Sequence, residues 1–80
     1  MNVKILTLEN KLLEAEAKSV IVPGENGTFE MLDNHAPIMS TLISGNIKVT
    51  DKNSKIHTVN IAEGSVEMVN NQIVILAEIN

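Results

Sequence analysis

Apolar residues recur at every second position through most of this chain, and no stretch sustains a helical spacing. The clearest case begins at Gly45. Ile47 and Val49 point one way while Asn46, Lys48 and Thr50 point the other, and Asp51-Lys52-Asn53-Ser54 then turns the chain. Lys55 to Ile61 returns with Val59 and Ile61 toward a core. Glu63-Gly64 predicts an interruption, after which Val66 and Met68 alternate with Glu67. Asn70-Asn71 follows, a dipeptide that tolerates positive φ and suits a two-residue hairpin, and Gln72 to Ile79 forms a last strand.

The first half reads the same way. Val3 to Leu8 is an opening strand with apolar residues on both faces, broken by Glu9-Asn10-Lys11. In Leu12 to Ala17, Leu13, Ala15 and Ala17 share one face, and Leu12, Glu14 and Glu16 the other. Lys11 to Lys18 also passes for a helical fragment, but one too short to be stable alone. Lys18 to Val22 continues as strand until Pro23-Gly24 stops it, Asn26-Gly27 marks a tight turn, and Thr28 to Leu32 is extended up to the break at Asp33-Asn34. Turn signals thus recur roughly every 8–12 residues, the spacing of antiparallel sandwiches and barrels. The expected fold class is all-β, a flattened antiparallel β-sandwich or barrel of short strands, with residues 1–80 as a single domain.

Composition supports this reading. A domain of 80 residues buries only about 60–70% of the surface its unfolded chain exposes, so its core must be rich in apolar residues. Ile, Val and Leu supply 25 positions, most of them β-branched, and Phe29 is the only aromatic. Without cysteine there is neither a disulfide framework nor thiol chemistry. The opening Met1 to Leu6 has one basic residue and too short an apolar run for a signal peptide, and no segment approaches the roughly 20 apolar residues that span a bilayer. The expectation is a soluble protein whose link to any membrane comes through a partner.

Charge removes another class. The net charge is −4, the six lysines are scattered, and there is no arginine. A nucleic-acid binder calls for a clustered basic patch with aromatic stacking platforms, and both are missing.

Nothing assembles into catalytic chemistry. His35 and His57 have no Cys or His partner at metal-ligand spacing, so surface or structural roles are expected of them. Glu14 and Glu16 share a strand face as a glycosidase acid pair would, but solvated carboxylates account for them better. Gly24-Glu25-Asn26-Gly27 lacks the Lys-Ser/Thr ending and following helix of a phosphate-binding loop. No catalytic residue, metal site or cofactor is expected.

One segment stands out. Pro37 has no backbone N–H, which places its strand at an edge or bulge, and Ala36 before it is held extended. In Ile38 to Ile43 the apolar side chains fall on both faces, Ile38 and Leu42 on one and Met39 and Ile43 on the other. An edge strand with two apolar faces needs either a covering loop or another protein, with Met39 as an adaptable contact. Ile73 to Ala77 is continuously apolar, and a central strand buried on both sides is the reading preferred over a second contact surface.

The run from Pro23 to Pro37, with its Gly-containing loop, short strand and His35-Ala36-Pro37, resembles the N-terminal domain of the epsilon subunit of F-type ATP synthases. Gly45 to Val49, Ile61 to Met68 and Ile73 to Glu78 resemble later segments of that family in the same order. At Glu30, Asp33 and Asn34 the chain departs from the family's usual Gly or Pro. The resemblance implies a rotor subunit of the central stalk, without an active site of its own, that couples ion-driven c-ring rotation to the gamma subunit and catalytic head. It implies gamma-subunit contacts at His35, Ala36, Pro37, Ile38, Met39, Thr41 and Leu42, and c-ring contacts at Glu25, Asn26, Gly27, Thr28, Phe29 and Glu30. It also implies a peripheral position on the cytoplasmic face of the inner (cell) membrane. The chain reaches Asn80, where many members continue into a C-terminal helical hairpin. A short form is therefore expected, with neither ATP binding nor hairpin-type inhibition. The alternatives are a generic β-sandwich interaction module of another assembly and a small acid–base hydrolase.

Overall fold

A computed structural model describes residues 1–80. Its seven strands are β1 (Asn2–Leu6), β2 (Lys11–Gly24), β3 (Gly27–Leu32), β4 (Ile38–Leu42), β5 (Gly45–Asp51), β6 (Ile56–Val69) and β7 (Gln72–Ile79). The Lys11–Lys18 stretch is strand, and the chain contains no helix. The all-β sandwich expected from the alternation is the fold observed.

Two strands set the architecture. β2 and β6 are each 14 residues long, and each changes neighbours along its length. β2 pairs first with β1, where Ile5 lies opposite Leu13, and then with β5 and β3, where Val20 lies between Val49 and Met31. β6 pairs with β5 as far as Ile61 and with β7 and β4 beyond it. The register shifts at both changeovers, between Ala17 and Ser19 and between Ile61 and Glu63. Such irregularities bend a strand and raise its twist, so each long strand leaves one layer and enters the other. One layer holds the first part of β2, β1, β7, the second part of β6, and β4; the other holds the first part of β6, β5, the second part of β2, and β3. All pairings are antiparallel except β1 with β7, which run parallel with Val3 beside Ile73.

The turns follow the sequence with two adjustments. Asn70 and Asn71 have φ of 52° and 61°, as a tight hairpin with two left-handed residues demands. β2 runs on through Pro23 to Gly24, past the stop expected after Val22, and Glu25 and Asn26 form the turn, one residue earlier than the Asn26-Gly27 pair predicts, with Gly27 (φ 125°) opposite Gly24. Glu63-Gly64 does not interrupt β6. Gly64 serves close approach instead, because a Cβ there would collide with the Leu76 carbonyl oxygen and lie 3.2 Å from the Ala77 Cα.

Fifteen buried apolar residues form one cluster between the layers. Alternation delivers them: Val3 and Ile5 from β1, Val20 and Val22 from β2, Ile47 and Val49 from β5, Val66 and Met68 from β6, and Ile73 and Ile75 from β7. No charged side chain is buried, and no buried side-chain nitrogen or oxygen lacks a hydrogen-bond partner.

The β5–β6 hairpin is organised by one carboxylate. Asp51 Oδ1 accepts from the backbone N–H groups of Asn53 (2.8 Å) and Lys55 (3.0 Å), while Oδ2 lies 2.9 Å from His57 Nε2. The Ser54 N–H donates to the Asp51 carbonyl, which fits the left-handed φ of 68° at Ser54. His57 is thus a structural histidine. Its hydrogen bond to Asp51, with those of Lys55 and Asn53, holds the Asp51 carboxyl below its ordinary value of 3.8. A depressed folded-state value adds stability above the unfolded-state value, and that stability disappears as pH falls through the folded one. Asp51→Asn is therefore expected to lower the thermal midpoint at neutral pH, and the gap to the parent protein should close as pH falls through and below the ordinary carboxylate range. Unfolding followed by circular dichroism across that range checks this; a gap independent of pH would remove the carboxylate's charge from the account.

Candidate functional site

The segment from Asp33 to Leu42 is held from several sides. Asn34 turns the chain with φ 63°, and its N–H donates to Asn71 Oδ1 (2.8 Å) in the β6–β7 turn. Asn71 Nδ2 in turn donates to Asp33 Oδ1 (3.2 Å), which also receives the Met1 α-ammonium at 2.7 Å. These two donors, the ammonium first, hold the Asp33 carboxyl below its ordinary range. The His35 N–H donates to the Leu32 carbonyl (3.0 Å), and the imidazole Nδ1 lies 2.7 Å from the Ala36 carbonyl oxygen. His35, Ala36 and Pro37 are thereby presented as a fixed, exposed corner.

β4 leaves that corner as an edge. It pairs with β6 along its full length, from Ile38 opposite Met68 to Leu42 opposite Gly64, and meets β2 only at Gly24. Its two faces differ. Ile38 and Leu42 point into the chain's own core, and Leu42 is 1% exposed. Met39 and Thr41 point outward, with Met39 76% exposed. This corrects two expectations. The apolar residues flanking Pro37 do not all need a second polypeptide, because the inward set fills the sandwich; and Leu42, expected among the contacts, has no surface to offer a partner. Ile43, just past the strand, is half exposed and its N–H donates to the Pro23 carbonyl.

The loop residues Glu25, Asn26, Gly27, Thr28 and Glu30 are exposed and Phe29 is half-buried. The Phe29 ring lies over Gly24, where a Cβ would come within 2.7 Å of it. Ser19 Oγ donates to Glu30 Oε2, so of the two carboxylates only Glu25 projects unengaged from the turn. The Glu25 N–H donates to the Thr41 carbonyl at 2.9 Å, which ties this loop to β4. The two sets of residues, separate in sequence, therefore adjoin. A cleft of about 400 Å³ runs between the β3 and β4 edges, with Asn26, Thr28 and Phe29 on one wall and Ile38, Met39 and Ser40 on the other.

The other candidates resolve into structural pairs. Glu14 lies 2.7 Å from Lys11 Nζ and 4.0 Å from Lys4 Nζ, and the Lys11 hydrogen bond leads the causes that lower its carboxyl. Glu16 approaches the Met1 ammonium at 3.7 Å. No three His, Cys, Asp or Glu side chains converge as a metal site, and no helix is long and apolar enough to cross a membrane.

Sequence reasoning missed one surface. Only Ile73 and Ile75 of the apolar run in β7 are buried, whereas Val74 and Leu76 are exposed on the outer face. The signal was present as a second apolar set in the same alternation, but a run apolar on both faces reads the same whether or not its second face is covered.

A family model described as the β-sandwich domain of the ATP synthase delta/epsilon chain matches residues 1–79. The chain belongs to that family. Curated epsilon chains of ATP synthase agree: one from Leptospira borgpetersenii is 33% identical over 98% of this chain and 61% of its own length. One from Desulfitobacterium hafniense is 36% identical over 94% of this chain and 56% of its own length, and one from Chlorobaculum tepidum is 35% identical over 92% and 84%. The chain thus spans about 60% of the length of the first two relatives. In fold it matches a chain of the Euglena gracilis mitochondrial ATP synthase with a TM-score of 0.87, at 16% identity over 94% of this chain and 48% of that one. A chain of the Tetrahymena thermophila central stalk and c-ring matches at 0.80, with 15% identity over 98% and 63%.

Burial separates the family's corner segment into core and surface. Leu42→Ala is expected to cost about 2–5 kcal/mol of stability by opening a cavity. Met39→Ala should change stability by no more than about 0.5 kcal/mol. Urea unfolding of the two variants checks this, and equal losses would contradict the inward–outward assignment.

Proposed function

We propose that this chain is a non-catalytic rotor subunit of an F-type ATP synthase, linking c-ring rotation to the gamma subunit and the catalytic head. Membership of the epsilon-chain family across residues 1–79 carries this reading. The geometry supports it in three respects. The His35-Ala36-Pro37 corner and the outward face of β4 form a rigid edge suited to docking gamma through Met39 and Thr41, with Ile38 left out because it points inward. Glu25, Asn26, Gly27, Thr28, Phe29 and Glu30 form a second projecting surface for the polar loops of the ring, where Glu25 would pair with a basic group and fix register more than affinity. Finally, the Glu25–Thr41 hydrogen bond joins these surfaces, so force applied to one reaches the other through a close-packed body with little deformation. As part of that complex the chain sits peripherally at the cytoplasmic face of the cell membrane and touches the membrane only through its partners.

The edge surface is tested by Met39→Asp combined with Thr41→Asp, both outward positions. The double variant is expected to lose co-purification with co-expressed gamma subunit while its thermal midpoint stays within a few degrees of the parent, a shift of about 1 kcal/mol or less. Undiminished co-purification would overturn the assignment of that edge. Glu25→Lys with Glu30→Lys, expected to spare gamma binding but release the complex from c-ring-containing membranes, tests the second surface separately.

A further inference from the structure

The chain has no cysteine, so its only sulfur lies in four methionines, and tryptophan and tyrosine are absent as well. A thioether is therefore the softest group that a peroxide meets on this protein, and access to the sulfur decides which one reacts. The fold closes three of the four. Met1, Met31 and Met68 belong to the buried cluster, and the last two are 0% exposed. Met39 is the exception, outward on β4 and 76% exposed. It lines clefts on both sides of its strand, one of about 430 Å³ shared with Glu67 and Val74 and one of about 400 Å³ against Phe29. The edge of β4 away from β6 is open at Met39, because β2 reaches that edge only where Gly24 lies opposite Leu42.

We infer that Met39 is a site of reversible oxidation: in the free chain hydrogen peroxide converts its thioether to the sulfoxide, and in that form the β4 edge no longer docks. The sulfur lone pair attacks one peroxide oxygen, and the S–O bond forms as the O–O bond breaks. The released hydroxide takes the proton of the transferred hydroxyl and leaves as water. Sulfur gives up two electrons and the peroxide gains them. Reversal runs through a methionine sulfoxide reductase, in which the oxygen leaves as water and two thiols become a disulfide. Oxidation replaces an adaptable apolar side chain with a polar, chiral one at the middle of a docking edge. A contact shaped for the thioether then buries a strong acceptor without a donor. The core is untouched, because its sulfurs are the ones peroxide does not reach. Docking covers Met39, so the reaction belongs to the chain before assembly. The loss of docking rests on the reading of β4 as the gamma-facing edge, whereas the oxidation itself rests on exposure alone.

The test treats the folded 80-residue protein with hydrogen peroxide, removes the oxidant, and locates the added oxygen by peptide mass spectrometry. Met39 is expected to react at least about tenfold faster than Met1, Met31 and Met68, whose sulfurs are reached only through local opening. The oxidised chain should keep its thermal midpoint within a few degrees of the parent and bind purified gamma subunit at least about tenfold more weakly. Treatment with a methionine sulfoxide reductase should restore binding. Met39→Leu, which cannot be oxidised, should bind equally well before and after peroxide, and Met39→Gln, a polar stand-in for the sulfoxide, should bind weakly without it. Equal oxidation of all four methionines would overturn the site. Undiminished binding by the Met39 sulfoxide, or loss of binding by peroxide-treated Met39→Leu, would overturn its role in docking. Failure of the untreated chain to bind gamma would overturn the docking reading, and the loss of docking with it, while the position of the oxygen still decides the oxidation site.

Discussion

β2 and β6 each belong to both layers of the sandwich, and nearly everything else about the molecule is fixed by how they cross. A strand shared between layers must keep its inward residues inward on both sides of the crossing, although the two layers face opposite ways. The register shifts at Ala17/Ser19 and Ile61/Glu63 accomplish this by changing the alternation by one position. Val59 and Ile61 point into the core before the shift in β6, and Val66 and Met68 after it. A slip of one residue without the shift would send either set into water. The second part of β6 then provides the backbone against which β4 is held, so the exposure of Met39 and the burial of Leu42 both follow from a bulge some twenty residues later in the chain.

Much of this was legible from the sequence. Period-two alternation gave the strands, and Asn70-Asn71 and Asp51 to Ser54 gave two of the turns because their chemistry is local. What stayed hidden was non-local. Glu63-Gly64 reads as a break by its residue types, yet Gly64 is small because β7 presses on it, and no local pattern encodes that neighbour. The apolar pairs of β4 and β7 are equivalent in sequence: each offers two apolar faces. Tertiary packing covers one face of each, and nothing in the spacing says which. For the same reason Leu42 was grouped with surface residues, and Val74 and Leu76 with the core.

The corner at His35 to Pro37 illustrates how a loop becomes a fixed surface without burial. Its residues are exposed, but Asp33 and Asn34 before it are tied to Asn71 and to the Met1 ammonium, and β4 after it is tied to β6. Side-chain hydrogen bonds to neighbouring backbone are what make Asn and Asp effective in such positions. The expected Gly or Pro is absent at Asp33 and Asn34, and the polar contacts of these two residues perform the ordering that those residue types would otherwise provide.

The parallel pairing of β1 with β7 has a kinetic consequence. Val3 lies beside Ile73 and Ile5 beside Ile75, so residues from the two ends of the sequence are neighbours in the same cluster. Contacts this distant along the chain are entropically costly to close, and folds dominated by them assemble in roughly milliseconds to seconds, not microseconds. A nascent chain lacking β7 would leave one backbone edge of β1 and one of β6 unpaired and would remove Ile73 and Ile75 from the core. The sandwich therefore has no stable half: it reaches its native form only when its last strand joins its first.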